Sequence, residues 1–194
     1  YCNFKRADFL KYLPADLVEY MKYITNLNRD RNKQIIQQAQ ELNSLLLEID
    51  IRPIFLKGTA NLLEGLYEDI GERMVGDIDF IISKEEYKKT IEKLSDEGYA
   101  TVSSLKYFSP QSRHYPRLIK QGNIAALEVH KELVIQKYAH EFNFNTIHEG
   151  VQKINEVNVL SFEHQFTLSI IAQQINDDGF YYKNIPLRNG YDVF

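Results

Sequence analysis

Cysteine is almost missing from this chain. Cys2 is the only one in 194 residues, so no intramolecular disulfide can form and no multi-cysteine zinc site can be built. Its place next to the first residue also argues against a catalytic thiol, because positions so near a terminus are usually mobile. This cysteine usage leads to the expectation of a reducing, cytoplasmic setting. No apolar run approaches the ~18 residues that span a bilayer, and no signal-peptide-like apolar segment is present. Basic residues are not in excess: 23 Lys and Arg stand against 27 Asp and Glu, a formal net charge of −4. That balance argues against a dedicated nucleic-acid binder, whose footprint is a basic surface. Internal repeats, low-complexity stretches and Pro/Gly/Ser-rich linkers are absent as well.

What is present is an ordinary globular composition, 44% hydrophobic and 26% charged. Leu13 to Leu47 reads as helical, in more than one piece, with Pro14 in the first turn and apolar residues at Ile35, Ile36, Ala39, Leu42 and Leu46. The polar run Arg29 to Gln38 is either a binding face or a solvated helix surface. Ile51 to Leu56 reads as a strand, and Gly58-Thr59 opens a helix that runs to about Tyr67. A charged loop leads to a second strand, Asp77 to Ile82. Ser83 and Glu86 form a capping box for a helix reaching Asp96, which Gly98 ends. The pattern then turns to β: Tyr99 to Ser103, Leu105 to Phe108, and Pro116 to Lys120 joined to Ile124 to His130 through the turn Gln121-Gly122-Asn123. Val151 to Leu160 is a weaker strand or hairpin, and Ser161 to Ile175 is helical. The expected fold is α+β, a small mixed sheet flanked by helices. It divides into a helical segment over 1–50, a core over 51–160 and the start of a further helical region over 161–194. The run Arg188 to Phe194 reads as the entry to another element, so the chain is expected to be a piece of a longer protein.

The chemistry concentrates at Gly76-Asp77-Ile78-Asp79. Asp77 and Asp79 share one face of a strand, and two adjacent carboxylates repel unless a cation joins them. Mg²⁺ or Mn²⁺ suits such hard oxygen ligands together with substrate phosphates. Gly76 leaves room for a close approach. Lys57-Gly58-Thr59 lies where a strand passes into a helix, a natural anion site, although an ordinary helix start reads the same way. Glu128 shares a strand face with His130 and is the candidate third carboxylate of a two-metal site. Arg73 either clamps a triphosphate or pairs with Glu68, Asp69 or Glu72. Lys57 is likewise a phosphate ligand or the partner of a nearby acid. His130 is a candidate acceptor-side base or a residue that orients Glu128. His114, His140, His148 and His164 lack ligand spacing. Tyr107, Phe108, Tyr115, Tyr181 and Tyr182 are candidates for stacking on a ring.

In combination, Ile54 to Gly58, Tyr67, Arg73 to Ile82, Gly98-Tyr99 and Leu127-Glu128-Val129-His130 resemble the uncharacterised nucleotidyltransferase family of the DNA-polymerase-β-like superfamily. The resemblance runs from about Ile51 to Asp192. It implies a polymerase-β-like nucleotidyltransferase fold and two Mg²⁺ bound by three carboxylates, which match Asp77, Asp79 and Glu128. It also matches Gly58 to the helix-start glycine that faces the triphosphate and Lys57 and Arg73 to the basic positions around it; with Thr59 and Gly76 these are the residues expected to hold the triphosphate. The expected activity moves an NMP from an NTP such as ATP onto a hydroxyl of a small molecule or protein. A catalytically inactive nucleotide-binding module and a purely structural domain are the other readings. Three departures stand out: Gly58-Thr59 replaces the usual Gly-Ser, Lys131 stands where relatives carry an aromatic, and Gln173 and Gln174 stand near a usual His. They bear on acceptor recognition more than on metal binding.

Overall fold

Breakers decide where the first long element runs. Between Ala15 and Leu47 there is neither glycine nor proline, and α2 spans that whole stretch as one helix of 33 residues, about 50 Å long. Nothing in its sequence interrupts it, and from Thr25 onward its inner side is held by the fold. Ile35, Ala39, Leu42 and Leu46 are 0–2% exposed, at helical spacing. A short α1 (Cys2–Arg6) precedes it. The polar run on α2 divides by face: Asp30, Lys33, Gln34 and Gln37 are solvated, while Arg31, Asn32 and Gln38 turn inward. Asn32 Nδ2 donates to the carbonyls of Ile70 (2.5 Å) and Arg73 (2.7 Å), Arg31 Nη2 to that of Gly76 (3.1 Å), and Gln38 Nε2 to that of Ala125 (2.8 Å). The helix thereby fixes the loop that enters the candidate site.

The computed structural model describes residues 1–102, 108–109, 111–184 and 187–192. Most of the strand expected over Leu105 to Phe108, and Tyr107 with it, lies outside the described residues. Among the described residues, seven strands form one mixed sheet: β1 (Ile54–Phe55), β2 (Asp77–Ile81), β3 (Ala100–Thr101), β4 (Leu118–Ile119), β5 (Ala126–His130), β6 (Gln152–Ile154) and β7 (Val157–Val159). Their order is β3-β4-β5-β2-β1-β7-β6. β2 runs parallel to β5, with Asp79 opposite Glu128, and β1 runs antiparallel to β2 and parallel to β7. The turn at Gly122 joins β4 to β5 as expected, pairing Leu118 with Leu127. The weaker hairpin is β6–β7, turned at Asn155 and Glu156 in left-handed backbone.

Helices cover both faces. α3 (Lys57–Glu64) follows β1 directly and ends at Gly65 in the left-handed conformation. α4 (Tyr87–Asp96) starts one turn later than the capping box implies. Ser83 and Glu86 do bond each other, but they close a turn ahead of the helix. α5 (Phe144–His148), α6 (Phe162–Ile171), α7 (Gly179–Tyr182) and α8 (Leu187–Tyr191) complete the chain. Ser161 caps α6 by accepting the His164 N–H, and a π-turn, Ala172–Asn176, continues it.

The alternation of β2 and β5 sorts their residues. Ile78, Phe80, Leu127 and Val129 pack beneath α2 and against Leu94 of α4. On the other face, Ile81 joins Ile54, Leu56, Leu133, Val134, Ile147 and Leu160 in a second apolar cluster. Asp77, Asp79, Glu128 and His130 lie on that same face by period. Among the described residues, no helix is long and apolar enough to cross a membrane.

Candidate active site

The parallel register brings the acids together. Asp79 and Glu128 sit side by side on neighbouring strands, each 8% exposed, and Asp77 lies one period toward the open end of β2. Three carboxylates on one partly buried face need compensation, and three basic groups supply it. Lys57 Nζ is 2.5 Å from Asp79 Oδ1 and 3.9 Å from Glu128 Oε2. Arg117 spans the other pair, with Nη2 2.9 Å from Asp77 Oδ2 and Nε donating to Glu128 Oε1 at 2.8 Å. His130, 1% exposed, has Nε2 2.9 Å from Asp79 Oδ1 and 3.7 Å from Glu128 Oε2. A carboxylate only accepts, so Nε2 carries the hydrogen in this contact and the buried Nδ1 is left without a partner. The geometry thus has His130 orienting Asp79 more directly than Glu128.

Two shifts record this crowding. Burial raises the Asp77 carboxyl above its ordinary range. The negative charges of Glu128 and Asp79 add to the rise, and Arg117 and Lys57 oppose it. Burial also pushes Glu128 upward, but His130, Arg117 and the charge on Lys57 outweigh it and hold Glu128 well below the usual carboxylate range. The donor set fits a divalent cation. Carboxylate oxygens of Asp79 and Glu128 and a ring nitrogen of His130 all lie within 4.8 Å of one another, Asp77 adjoins them through Arg117, and the hard oxygens are the donors a cation would take while Nε2 keeps its hydrogen.

These groups floor a cleft of about 570 Å³. Lys57 enters it with φ at 53°, left-handed backbone that costs a non-glycine residue about 1–2 kcal/mol. The strain sits between the Leu56 N–H bond to Asp79 (2.9 Å) and the start of α3, where it aims the ammonium at the acids. Gly58 also lines the cleft, and a Cβ there would meet Val75 Cγ2 at 3.1 Å. At Gly76 a Cβ would meet nothing within 4 Å, so its place is open space. Thr59 behaves differently: it is 1% exposed and its hydroxyl donates to the Asp77 carbonyl at 3.1 Å. Arg73 reaches the cleft wall, yet none of the acids expected for it is its partner. Its Nε and Nη2 grip Asp192 at 2.8 and 3.0 Å. Glu72 and Glu68 are taken by Arg6, and Asp69 by Arg29.

Of the candidate stacking rings, the described ones, Phe108, Tyr115, Tyr181 and Tyr182, lie outside the cleft lining. Phe108 packs on Tyr115, and Tyr181 on Tyr182. Among the described residues, the aromatic rings on the cleft wall are Phe162 and Phe166.

The sequence model of the uncharacterised nucleotidyltransferase family matches residues 1–194, the whole chain. The chain belongs to that family. A Thermotoga maritima protein described as a candidate nucleotidyltransferase is similar in structure, with a TM-score of 0.54 at 15% identity. The match covers 76% of this chain and 89% of that one. At that identity the likeness speaks for the fold, which is a nucleotidyltransferase fold. None of the curated proteins is a significant sequence match. For this nucleotidyltransferase, Arg117 is the cleft residue that motif reading passes over. A signal was available: the β4–β5 register pairs Leu118 with Leu127, and one step further puts Arg117 opposite Glu128.

Proposed function

We propose that the chain is a metal-dependent enzyme that moves a nucleoside monophosphate from an NTP, ATP first among them, onto a hydroxyl of a small-molecule or protein acceptor. The observation that carries this reading is the convergence of Asp77, Asp79 and Glu128 beside the Lys57-Gly58 helix start, on the floor of one cleft. Asp77, Asp79 and Glu128 would hold Mg²⁺ or Mn²⁺, which supplies charge neutralisation at the phosphates and acidifies the attacking hydroxyl. The acceptor oxygen attacks the α-phosphorus in line, its proton passes to solvent water, and the bond to the bridging α–β oxygen breaks with departure of pyrophosphate. The chain's own residues contribute mostly position and charge.

Lys57 and Arg117 are cations within reach of both the acids and the incoming triphosphate. Gly76, whose Cβ position is open, lets phosphate oxygens approach the backbone, and Gly58 lets the start of α3 pack on Val75 at the edge of the cleft. Thr59 holds the Asp77 main chain, and Arg73 presents a guanidinium on the cleft wall with Asp192 behind it. His130 keeps the Asp79 carboxylate oriented. The acidic net charge, −4, favours acceptors other than nucleic acid, and a cytoplasmic enzyme with a steady NTP supply fits the near absence of cysteine.

The test is incubation with α-labelled ATP, Mg²⁺ and a panel of hydroxyl-bearing acceptors. Transfer of label with release of pyrophosphate, abolished in Asp79→Asn, is the expected result. Tight Mg-ATP binding with no transfer to any acceptor supports a nucleotide-binding module instead. Undiminished transfer by Asp79→Asn or Asp77→Asn refutes the assignment of the acids.

A further inference from the structure

The cleft has two chemically different ends. One is the acid and cation floor. The other, where α6 meets the end of α3, is apolar: Phe162, Phe166 and Leu66 line the cleft while 65%, 41% and 47% exposed. Large apolar side chains exposed together in a concave site mark a place where ligand surface is buried. On α6, Phe162, Gln165, Phe166 and Ser169 follow at helical spacing and all face the cleft. The two phenyl rings lie 6.5 Å apart between centroids, with planes 26° apart. That is the loose end of the ~4.5–7 Å range for aromatic pairs, so neither ring is satisfied by the other.

α3 fixes the distance between the two ends. Its first residue, Lys57, touches Asp79. Its last, Glu64, accepts from Gln165 Nε2 at 2.7 Å, and Gln165 also donates to the Leu160 carbonyl at 3.2 Å. Seven residue steps of helix measure about 10 Å, comparable to the span from the α-phosphorus of a nucleotide to the far edge of its base. Burial raises the Glu64 carboxyl while the bond from Gln165 opposes that rise, which describes a half-enclosed polar edge beside the two rings.

We infer that Phe162 and Phe166 form the base-stacking wall of the nucleotide site, and that the base they take is a purine. The inference rests on the proposed NTP-dependent function and deepens it. Two rings set side by side along one helix face present a surface longer than one six-membered ring, and the two-ring purine covers it. The Glu64–Gln165 pair lies at the polar edge of that base, supplying hydrogen-bond acceptors to an exocyclic amino group.

The experiment is calorimetric titration, in Mg²⁺, with ATP, GTP, CTP, UTP and inorganic tripolyphosphate. It uses the wild type, Phe162→Ala, Phe166→Ala and Phe166→Trp. Both rings are exposed, so melting temperatures should stay near wild type and will verify that the variants fold. The expected result is a purine Kd raised about fivefold or more in each alanine variant, the lower bound set by base–aromatic stacking, with tripolyphosphate binding unchanged. Phe166→Trp should retain purine affinity, and its indole, the only one in a chain with no natural tryptophan, should be quenched on binding. Unchanged ATP and GTP affinity in both alanine variants overturns the stacking wall while leaving the triphosphate site standing. Equal losses for ATP and tripolyphosphate also overturn it, by making the role structural. Pyrimidine nucleotides bound as tightly as purines overturn the purine assignment. A wild type that binds neither tripolyphosphate nor any NTP removes both this inference and the function beneath it.

Discussion

Replacing Arg117 with alanine should weaken the metal-free protein and strengthen its grip on divalent cations. Arg117 joins Asp77 and Glu128 at 2.9 and 2.8 Å. At 2.9 Å the gross attraction of one unit-charge pair runs from about 1.4 kcal/mol at a dielectric of 80 to about 6 kcal/mol at 20. The guanidinium side chain is 56% exposed while that of Glu128 is 10% exposed, so screening and desolvation remove most of that gain. A net loss of about 1–2 kcal/mol remains, the value of a charged hydrogen bond discounted for exposure. For a chain of this length that lowers the melting temperature by about 2–8 °C. A divalent cation entering among Asp77, Asp79 and Glu128 has to draw Arg117 away from two of them. Without Arg117 that cost vanishes, and the affinity for Mg²⁺ should rise by about 5–30-fold. Thermal-shift titration with MgCl₂ at constant ionic strength and pH 7.5 measures both effects, because a ligand of the native state raises stability with the logarithm of its concentration over Kd. An Arg117→Ala protein whose melting temperature and Mg²⁺ midpoint both equal those of the wild type would refute the picture of Arg117 as the occupant of the cation position.

Three further outcomes follow from single contacts. Thr59→Val leaves the Asp77 carbonyl without its 3.1 Å donor and should cost about 1–3 kcal/mol in urea unfolding, whereas Thr59→Ser, which keeps the hydroxyl, should cost less; equal costs would contradict the bond's role. Gly76→Ala adds a Cβ into open space, so its melting temperature should stay level or rise, worth about 0.4–1 kcal/mol through the unfolded chain. Its tripolyphosphate Kd should rise all the same, and unaltered binding would place the phosphates elsewhere. Bonding from Arg6 outweighs burial and holds Glu72 below its ordinary pKa, helped by Tyr191 and the Asp69 N–H. The stability tied to Glu72 is therefore complete above the unfolded value of about 4.3 and is lost as pH falls through the lower folded value. The wild-type melting temperature should fall more steeply below about pH 4.5 than that of Glu72→Gln, and parallel curves would argue against the pair.

Much of the fold was legible because its signals are local. A strand's period of two and a helix's of 3.6 are written in neighbouring residues, so β2, β5 and the β4–β5 turn fall close to their expected places. Boundaries slipped where tertiary contacts extend or trim an element. No breaker interrupts α2, and its inward polar residues find carbonyl partners on the loop entering β2 and at Ala125, which no local pattern announces. Only half of the Ser83–Glu86 box formed: Ser83 Oγ accepts the Glu86 N–H, but the Glu86 carboxylate takes the Ser83 hydroxyl and not its backbone N–H, and α4 starts one turn later.

The site divides along the same line. Asp77 with Asp79, and Glu128 with His130, are visible because a two-residue spacing fixes a common face, and the parallel β2–β5 register then sets Asp79 against Glu128. Which cation answers which acid was less accessible, since long basic side chains reach across the fold. Arg73 shows the limit: three acids stand next to it in sequence, yet its partner is Asp192, far along the chain, because Arg6 and Arg29 had already taken the near ones. Arg117 shows how the limit can be passed. Once Gln121-Gly122-Asn123 is accepted as a hairpin turn, antiparallel pairing of its arms puts a guanidinium opposite the buried Glu128. A buried carboxylate beside two others demands such a partner, so compensation of charge across a hairpin was the sequence signal that could have found this residue.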